Sequence, residues 1–318
     1  MSCLRLFPVV GRRSLGLGGV VLKRFEGNPI LEPIGSHSWE SRLVFNAGAV
    51  LVGGRVHLVY RAMGNDNVSR LGYASSLDGY HFDCRSPDPV FEPVTEAEVD
   101  GVEDPRLTLF GDKIFLAYTA FGNYMRDKVY QVGLSSISLN DFLATNWVWG
   151  ERIFTFPGIR NKNAFVFPKK FDGEYVLFHR LDPDICVSRS EDFVDWCGLK
   201  FVLGPRIGMW DSLKVGTTGP PIEVSEGWLM LYHGVDFDKT YRLGSVLLDK
   251  TDPSKVIYRC KDPILEPELD FERYGDVPNV VYSCGHVVLD GKVLVYYGGA
   301  DSVLGVVTYD LAELLPKK

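Results

Sequence analysis

The stretch GDKIFLAYTA (111–120) places a glycine turn directly before an apolar run that contains two aromatic residues. A turn flanked by β-branched and aromatic runs is typical of a β-hairpin. Four further segments share this design: GGRVHLVYRA (53–62), DGEYVLFHRL (172–181), EGWLMLYHGV (226–235) and DGKVLVYYGG (290–299). The chain therefore contains an internal repeat of β-hairpins.

The runs on either side of each hairpin also repeat. An apolar stretch precedes each segment, such as FNAGAVLV before the first, and a strand-like run follows it, such as RLGYASSLDG. The repeats begin about sixty residues apart, which is enough for the four short strands of a propeller blade. Five repeats in one order predict an all-β fold, a five-bladed β-propeller with an axial site. The alternative is a β-sandwich of unrelated hairpins.

We expect residues 1–318 to form a single propeller domain. In it, ~25 N-terminal and ~10 C-terminal residues would be closing or peripheral segments. Length alone suggests about two domains, but propellers run long as single units. Helical periodicity is weak, and glycine and proline interrupt most long windows of the sequence.

The composition restricts the classes of function. The net charge of −7 argues against a general nucleic-acid or membrane-surface role, so a bound anion needs a local basic cluster. Six cysteines lie scattered without CxxC spacing, which predicts free thiols in a reducing compartment and no zinc site. No apolar run reaches the ~20 residues of a membrane span, and arginines interrupt the N-terminal stretch. We therefore expect a soluble, cytoplasmic protein.

Charged residues recur just past the hairpins. The position after each aromatic-ended strand holds Arg61, Thr119, Arg180, His233 and Gly298, and Asp301 follows three residues beyond the last. Equivalent positions of successive blades converge on one axis, so a basic set gathered there predicts an anion site. This basic set comprises Lys162, Arg180, Lys214 and His233. Taken singly, each is more typical of a surface ion pair, and the shared register favours the site.

The stretch GVEDPR (101–106) puts two acids and a proline where a buried strand begins. Asp104 stands at the same place as Asn46 in the first repeat and Asn163 in the third, so it would face the same cavity. Inverting cleavage of a glycosidic bond normally needs an acid for the leaving oxygen and a base for water. Phosphate arrives charged and nucleophilic, so it needs cations instead of a base. One acid beside a basic set therefore predicts an inverting phosphorylase.

Short motifs of one family run nearly the whole length of the chain. They are NPILEP (28–33), FNAGAV (45–50), YRA (60–62), GYASSLDG (72–79), GVEDPRLT (101–108), KNAFVFPKKFDGEYVLFHR (162–180), KVGTTGPPIEVSEGWLMLYHGV (214–235), YRLGSVLLD (241–249), PILEPE (263–268), VPNVVYSCG (277–285) and YYGGADS (296–302). With these motifs in this order, the chain resembles glycoside hydrolase family 130, the β-mannoside phosphorylases and mannosidases. The resemblance implies a five-bladed propeller with an axial site.

The resemblance also implies roles for individual residues. Asp104 would be the general acid, with its proton passing through the 3-hydroxyl of the bound mannose. The mannosyl ring would be held by Asn46, Arg61 and Asp301. Phosphate would be held by Asn163, Arg180, Lys214 and His233, together with Lys162, where family phosphorylases often carry arginine. Lysine keeps the charge but loses the bidentate fork. The mannosidase branch lacks this basic set, so its presence favours phosphorolysis.

Other polar residues each have a structural and a functional interpretation. Tyr241 either lines the pocket or packs outside it. Asp211 is a candidate for sugar contact, and Trp210 either forms an apolar platform under a sugar ring or anchors a loop. Alternation along a strand predicts that Glu103 points to the face opposite Asp104, as a structural hydrogen-bond partner. We expect Arg106 to pair with a nearby carboxylate and to keep that acid ionised.

Three functions are compatible with these patterns. The first is an inverting β-mannoside phosphorylase, which forms α-mannose 1-phosphate and a shortened acceptor from a β-mannoside and inorganic phosphate. The second is a β-mannosidase of the same fold, and the third is a non-catalytic glycan-binding propeller. Phosphate would be a co-substrate, and neither a metal nor an organic cofactor is implied. The linkage (β-1,2 or β-1,4), the acceptor and any homo-oligomer stay open, and we expect no nucleic-acid or membrane partner.

Overall fold

The computed structural model describes residues 13–15 and 21–316, and these residues form five antiparallel blades around one axis. The predicted five-bladed propeller is therefore confirmed. Blades 1 and 2 are joined in one sheet by a single parallel bridge between Ser69 and Gly101. No helix among the described residues is long and apolar enough to cross a membrane.

Each blade is a short antiparallel meander whose first strand lies nearest the axis. Two strands precede the blades: β1 (Arg13–Leu15) and β2 (Val21–Arg24). Blade 1 contains β3 (Leu43–Val52), β4 (Arg55–Met63), β5 (Ser69–Ser76) and β6 (Cys84–Arg85). Blade 2 contains β7 (Gly101–Phe110), β8 (Lys113–Tyr124), β9 (Asp127–Ser138) and β10 (Ile153–Phe154). Blade 3 contains β11 (Lys162–Val166), β12 (Tyr175–Leu181), β13 (Asp184–Ser190) and β14 (Cys197–Leu203).

The remaining blades follow the same plan. Blade 4 contains β15 (Lys214–Thr217), β16 (Ile222–Val224), β17 (Gly227–Val235), β18 (Tyr241–Leu248) and β19 (Val256–Arg259). Blade 5 contains β20 (Val281–Leu289), β21 (Lys292–Gly299) and β22 (Val303–Asp310). Short helices are α1 (Leu139–Leu143), α2 (Asp270–Arg273) and the 3₁₀ turns Glu96–Glu98 and Leu311–Leu314.

Blade 5 takes its outer strand from the beginning of the chain. Strand β2 pairs antiparallel with β22, with Leu22 opposite Tyr309 and Arg24 opposite Val307, and β1 pairs with β2. The two ends of the chain thus meet in one sheet, which ties the last blade to the first. Of the segments expected to close the fold, residues 1–12, 16–20 and 317–318 lie outside the described residues.

The apolar core is divided into five layers, one between each pair of neighbouring blades. Representative pairs that share a layer are Leu71 with Leu116, Leu134 with Leu177, Phe178 with Met230, Leu231 with Val295, and Leu294 with Leu58. Most blade strands are therefore buried on both faces, which explains why the repeats contain long apolar runs instead of strict alternation.

The inner strands of blades 1, 2 and 5 approach one another closely near the axis. A β-carbon on Gly48 of β3 would clash with the carbonyl oxygen of Pro105 on β7. On the other side of β3, a β-carbon on Gly285 of β20 would clash with the backbone nitrogen of Ala49. Glycine is required at both positions because only a hydrogen atom fits between the neighbouring backbones.

Four blades repeat a buried cluster that we call a clamp: a second-strand tyrosine, a carboxylate from the segment before the blade, and an arginine at the outer strand. The clamps are Tyr60–Glu40–Arg85, Tyr118–Glu98–Arg152, Tyr232–Asp211–Arg259 and Tyr297–Glu272–Arg24. All four carboxylates are fully buried and accept hydrogen bonds from both partners. Asp211, for which sugar contact was one interpretation, is thus a structural residue.

Blade 3 has an uncharged cluster where the others have a clamp. His179 occupies the position of the clamp tyrosine. Its Nδ1 forms a hydrogen bond with the side-chain amide of Asn161, and its Nε2 forms one with the hydroxyl of Ser188. Burial lowers the pKa of His179 to about 4, so the ring is neutral at physiological pH. Its neighbour Arg180 points to the other face of the strand, toward the axis.

Removing one clamp carboxylate should destabilise the fold strongly. In Glu98→Ala, Arg152 and the Tyr118 hydroxyl lose their buried partner, and breaking a buried ion pair costs ~3–5 kcal/mol of unfolding free energy. Glu96→Ala, in the same turn but on an exposed side chain, is the matched control. Urea unfolding monitored by tryptophan fluorescence would contradict this role if the two variants had equal midpoints.

Candidate active site

An extra residue in the inner strand of three blades turns one polar side chain toward the axis. The pairing of β3 with β4 shifts after Phe45, that of β7 with β8 after Glu103, and that of β11 with β12 after Lys162. The bulged residues are Asn46 (φ 50°), Asp104 (φ 50°) and Asn163 (φ 56°). Asparagine and aspartate tolerate this left-handed conformation better than other side chains. The three residues that occupy equivalent places in the repeats thus share one geometry.

Asp104 lies at the centre of this arrangement and is buried, with 4% of its surface exposed. Asn46 donates to its Oδ1 at 2.9 Å and Arg61 at 3.3 Å, while the hydroxyl of Tyr282 donates to Oδ2 at 3.1 Å. Burial alone would raise the pKa of Asp104. The charges of Arg61, Lys162 and Arg106 and the Asn46 hydrogen bond outweigh burial and hold that pKa well below its ordinary value. Asp104 is therefore a carboxylate in the free protein.

Glu103 lies on the same side as Asp104, so the expectation of opposite faces is wrong. Arg61 donates to Oε1 of Glu103 at 2.7 Å and reaches Oδ1 of Asp104 with its other terminal nitrogen. The bulge interrupts the alternation of the strand at this point, and two successive side chains can then contact one guanidinium.

Arg106 pairs with backbone carbonyls, which corrects the expectation that it pairs with a carboxylate. Its guanidinium, 1% exposed, donates to the carbonyls of Asp104 at 2.7 Å and Thr218 at 2.7 Å. It also donates to the hydroxyl of Tyr282 at 2.9 Å. Arg106 thus links blades 2, 4 and 5 beneath Asp104, and its charge still favours the ionised form of that acid.

Three cations from two neighbouring blades lie close together. Lys162 and Arg180 are directly opposite each other on β11 and β12, an arrangement of like charges that is destabilising by itself. Nε of Arg180 lies 2.8 Å from the half-exposed Asp182, but at an angle that makes no hydrogen bond. Burial and the nearby charge of Arg180 lower the pKa of Lys214. This concentration of charge suits an anion.

Several buried polar atoms beside these cations have no hydrogen-bond partner among the described residues. They are Oδ1 of Asn46, Oδ1 of Asn163, Nε of Arg180 and both ring nitrogens of His233. The sequence pattern grouped His233 with the cations. In the structure, burial and the charges of Arg180, Arg106 and Lys214 hold its pKa well below the ordinary value, so the ring is neutral. Unpaired buried polar atoms are costly, and their concentration here indicates a ligand site.

Tyr241 and Asp301 complete the site. The Tyr241 ring centroid lies 6.0 Å from that of His233, and Nζ of Lys214 lies 5.4 Å from it, so this tyrosine lies beside the basic set. Burial raises the pKa of Asp301 to about 7, with a contribution from the charge of Asp104. Besides Glu103, which is paired with Arg61, the site therefore contains the ionised Asp104 and an Asp301 that holds a proton up to about neutral pH.

Tyr282 is a site residue that the sequence patterns did not reveal. Its ring centroid lies 4.6 Å from that of His233, and its hydroxyl contacts Asp104, Arg106 and Asn163. Its cross-strand partner is Gly298, so a search along the second strands finds no side chain at this blade. The usable signal was its place in VPNVVYSCG, at the beginning of the inner strand of the fifth repeat.

The donor set of the site suits an anion and a polar organic ligand more than a metal ion. It consists of amides, cations, tyrosine hydroxyls and one neutral imidazole beside the carboxyl groups. Among residues 13–15 and 21–316, no group of three or more His, Cys, Asp or Glu side chains is placed to hold a metal.

The raised pKa of Asp301 predicts a pH-dependent stability. Between about pH 4 and 7 the unfolded chain has an ionised Asp301 and the folded chain a protonated one, so rising pH favours unfolding at this position. Asp301→Asn should therefore gain stability relative to wild type as the pH rises, by at most ~1.4 kcal/mol per pH unit. Asp172→Asn, on a side chain that is 92% exposed, is the control. Equal slopes of unfolding free energy against pH in all three proteins would contradict a protonated Asp301 in the folded protein.

Comparison with known proteins assigns the chain to a family. A family model described as β-1,4-mannooligosaccharide phosphorylase matches residues 21–316. A 1,2-β-oligomannan phosphorylase of Thermoanaerobacter sp. (strain X514) is 42% identical over 302 residues, which cover 93% of this chain and 99% of that protein. A β-1,2-mannobiose phosphorylase of the same organism is also 42% identical, over 90% of this chain and 96% of that protein.

A solved structure gives the same assignment. It was reported with the finding that the GH130 family of mannoside phosphorylases contains glycoside hydrolases that target β-1,2 mannosidic linkages in Candida mannan. It superposes with a TM-score of 0.83 at 25% identity and covers 94% of this chain and 96% of that one. The repeated hairpins, the bulged inner strands and these matches agree, and the chain belongs to glycoside hydrolase family 130.

Proposed function

We propose that this protein is an inverting β-mannoside phosphorylase that acts on β-1,2-linked manno-oligosaccharides. The observation that carries this proposal is the group of three cations, Lys162, Arg180 and Lys214, beside a buried acid. An anionic nucleophile needs such charges, whereas an attacking water molecule needs a base. The β-1,2 linkage is supported by the two relatives that share 42% identity with this chain.

In the proposed reaction, a phosphate oxygen attacks C1 of the terminal mannose and the bond from C1 to the glycosidic oxygen breaks. Asp104 supplies the proton that the leaving oxygen needs, by way of the 3-hydroxyl of the mannose. Attack from the opposite face inverts C1 and yields α-mannose 1-phosphate. Hydrogen phosphate loses its one proton as the leaving alcohol gains one, so the overall reaction is balanced without a further reactant.

Asp104 must hold a proton to act as an acid, although it is ionised in the free protein. Lys162 is one of the charges that depress its pKa. A phosphate anion bound to Lys162 would offset that charge and raise the pKa of Asp104 toward the range in which it carries a proton. Binding of the nucleophile would therefore prepare the acid.

The remaining site residues fall into two groups in this proposal. Asn46, Arg61 and Asp301 hold the mannosyl ring beside Asp104, and Tyr241 lines the pocket between sugar and phosphate. Asn163, Arg180, Lys214 and His233, with Lys162, hold the phosphate. The neutral His233 ring serves as a hydrogen-bond donor in this set and contributes no charge.

A hydrolase is the second candidate, and one observation favours it. Asp104 is ionised while Asp301 holds its proton up to about pH 7, and an inverting hydrolase needs one carboxyl group of each kind. The family contains such hydrolases. The two candidates differ in their need for phosphate, which is therefore the property to measure.

Cleavage of β-1,2-mannobiose should require inorganic phosphate and release α-mannose 1-phosphate, which NMR identifies by its anomeric configuration. Asp104→Asn should reduce turnover by ~10²–10⁴-fold while the circular dichroism spectrum stays that of the wild type. β-1,4-mannobiose, tested in parallel, should be cleaved more slowly. Release of free mannose at the same rate without phosphate would establish the hydrolase instead.

Removing one cation of the basic set should impair the use of phosphate more than the binding of sugar. Lys214→Ala and Arg180→Ala should each raise the KM for phosphate at least about tenfold, since each charge-assisted hydrogen bond contributes ~1.5–3 kcal/mol. The KM for mannobiose should change little. Lys200→Ala, at an exposed pair with Asp252, is the matched control. Wild-type phosphate dependence in both site variants would show that the anion binds elsewhere.

A further inference from the structure

The hydroxyl of Tyr282 is a meeting point of three blades. It donates to Oδ2 of Asp104 at 3.1 Å, accepts from Nη2 of Arg106 at 2.9 Å, and accepts from Nδ2 of Asn163. Asp104 and Arg106 belong to blade 2, Asn163 to blade 3, and Tyr282 to the inner strand of blade 5. A phenolic hydroxyl has one proton and two lone pairs, so all of its hydrogen-bonding capacity is used.

On one side, this hydroxyl fixes the carboxylate of Asp104. Asn46 and Arg61 hold Oδ1, and Tyr282 holds Oδ2, so both oxygens and thus the plane of the group are constrained. Because Oδ1 faces a guanidinium and an amide N–H, the oxygen able to take up a proton is Oδ2. Tyr282 therefore contacts the atom that carries the proton in the proposed reaction.

On the other side, the same hydroxyl orients the amide of Asn163. The proton of Tyr282 is directed to Asp104, so Tyr282 must accept from Asn163, and this places Nδ2 toward the tyrosine. Oδ1 of Asn163 and Nε2 of His233 then both lie against Gly216, and neither atom has a hydrogen-bond partner among the described residues. The ring of Tyr282 also packs on His233, with 4.6 Å between centroids. Tyr282 thus touches two residues of the proposed phosphate pocket.

We propose that Tyr282 is a positioning residue that couples the phosphate pocket to the acid. Through one hydroxyl group it fixes the orientation of the Asn163 amide and the position of Oδ2, the oxygen of Asp104 that takes up the proton. A change at either residue is therefore transmitted to the other. This inference rests on the proposed function, because it requires that phosphate binds beside Asn163 and that Asp104 supplies the proton.

Tyr282→Phe removes only the hydroxyl and tests this coupling. We expect kcat for phosphorolysis to fall about 10–100-fold and the KM for phosphate to rise about tenfold, while the KM for mannobiose changes little. Loss of a hydrogen bond to the ionised form should raise the pKa of Asp104, so the limb of the pH–rate profile at which the acid loses its proton should move to higher pH. Tyr296→Phe is the matched control, because Tyr296 is also buried and its hydroxyl donates to the backbone carbonyl of Gly79, outside the site.

Asn163→Ala provides the second variant and tests transmission directly. Its side-chain amide is bonded to Tyr282, and the coupling predicts that its removal moves the same limb of the pH–rate profile. The effects of the double variant Tyr282→Phe/Asn163→Ala should be less than additive, because both changes break the same hydrogen bond between Tyr282 and Asn163. The pH–rate profile of Asn163→Ala alone decides the matter if Tyr282→Phe fails to fold.

The outcomes separate this inference from the proposed function. Wild-type protein without phosphate-dependent cleavage would overturn both. Phosphate-dependent wild type with kinetic constants and pH profile unchanged in Tyr282→Phe would overturn the coupling alone. Fully additive effects in the double variant, or a loss of activity in Tyr282→Phe that matches its loss of folded protein, would also overturn it and leave Tyr282 a structural residue.

Discussion

The left-handed residue in each bulged inner strand is the constraint on which the site depends. Without the bulge, Asn46, Asp104 and Asn163 would continue the alternation of their strands, and polar groups would be forced into the apolar layers between blades. The bulge takes each side chain out of that pattern and directs it to the axis. For most L-residues the left-handed conformation costs ~1–2 kcal/mol. Asparagine and aspartate therefore meet a conformational requirement and a chemical one at the same positions.

The clamps give this geometry a rigid frame. Each buried carboxylate ties the segment before a blade to the second and outer strands of that blade, so the strand bearing the axial residue is fixed from outside. Arg61 follows the clamped Tyr60, and His233 follows the clamped Tyr232. In blade 3 the neutral cluster around His179 has the same place next to Arg180 and adds no charge to the most cationic part of the site.

The fold and much of the site could be predicted from the sequence, because both follow from a repeat. The order of hairpins predicted the propeller, and the shared register brought Arg61, Arg180 and His233 to one end of it. The errors have physical causes. Alternation misplaced Glu103 because a bulge is not visible in an apolar pattern. Two partners of Arg106, Thr218 and Tyr282, lie on other blades more than a hundred residues away, and the neutrality of His233 depends on burial and on charges from other blades. Tyr282 was missed since its strand partner is glycine.

The obstructed axis has a consequence for how a saccharide chain can be handled. Gly48 and Gly285 bring the inner backbones of blades 1, 2 and 5 into contact, and Arg106 joins the carbonyls of Asp104 and Thr218 across the axis, so these groups obstruct the axis beside Asp104. A polymer cannot thread through such a cavity, and a sugar in its interior cannot reach the bottom. In the proposed reaction, the saccharide would then be held at Asp104 by its terminal unit, and one residue would be removed per encounter. The sugar phosphate formed in that reaction would leave after the shortened chain has dissociated.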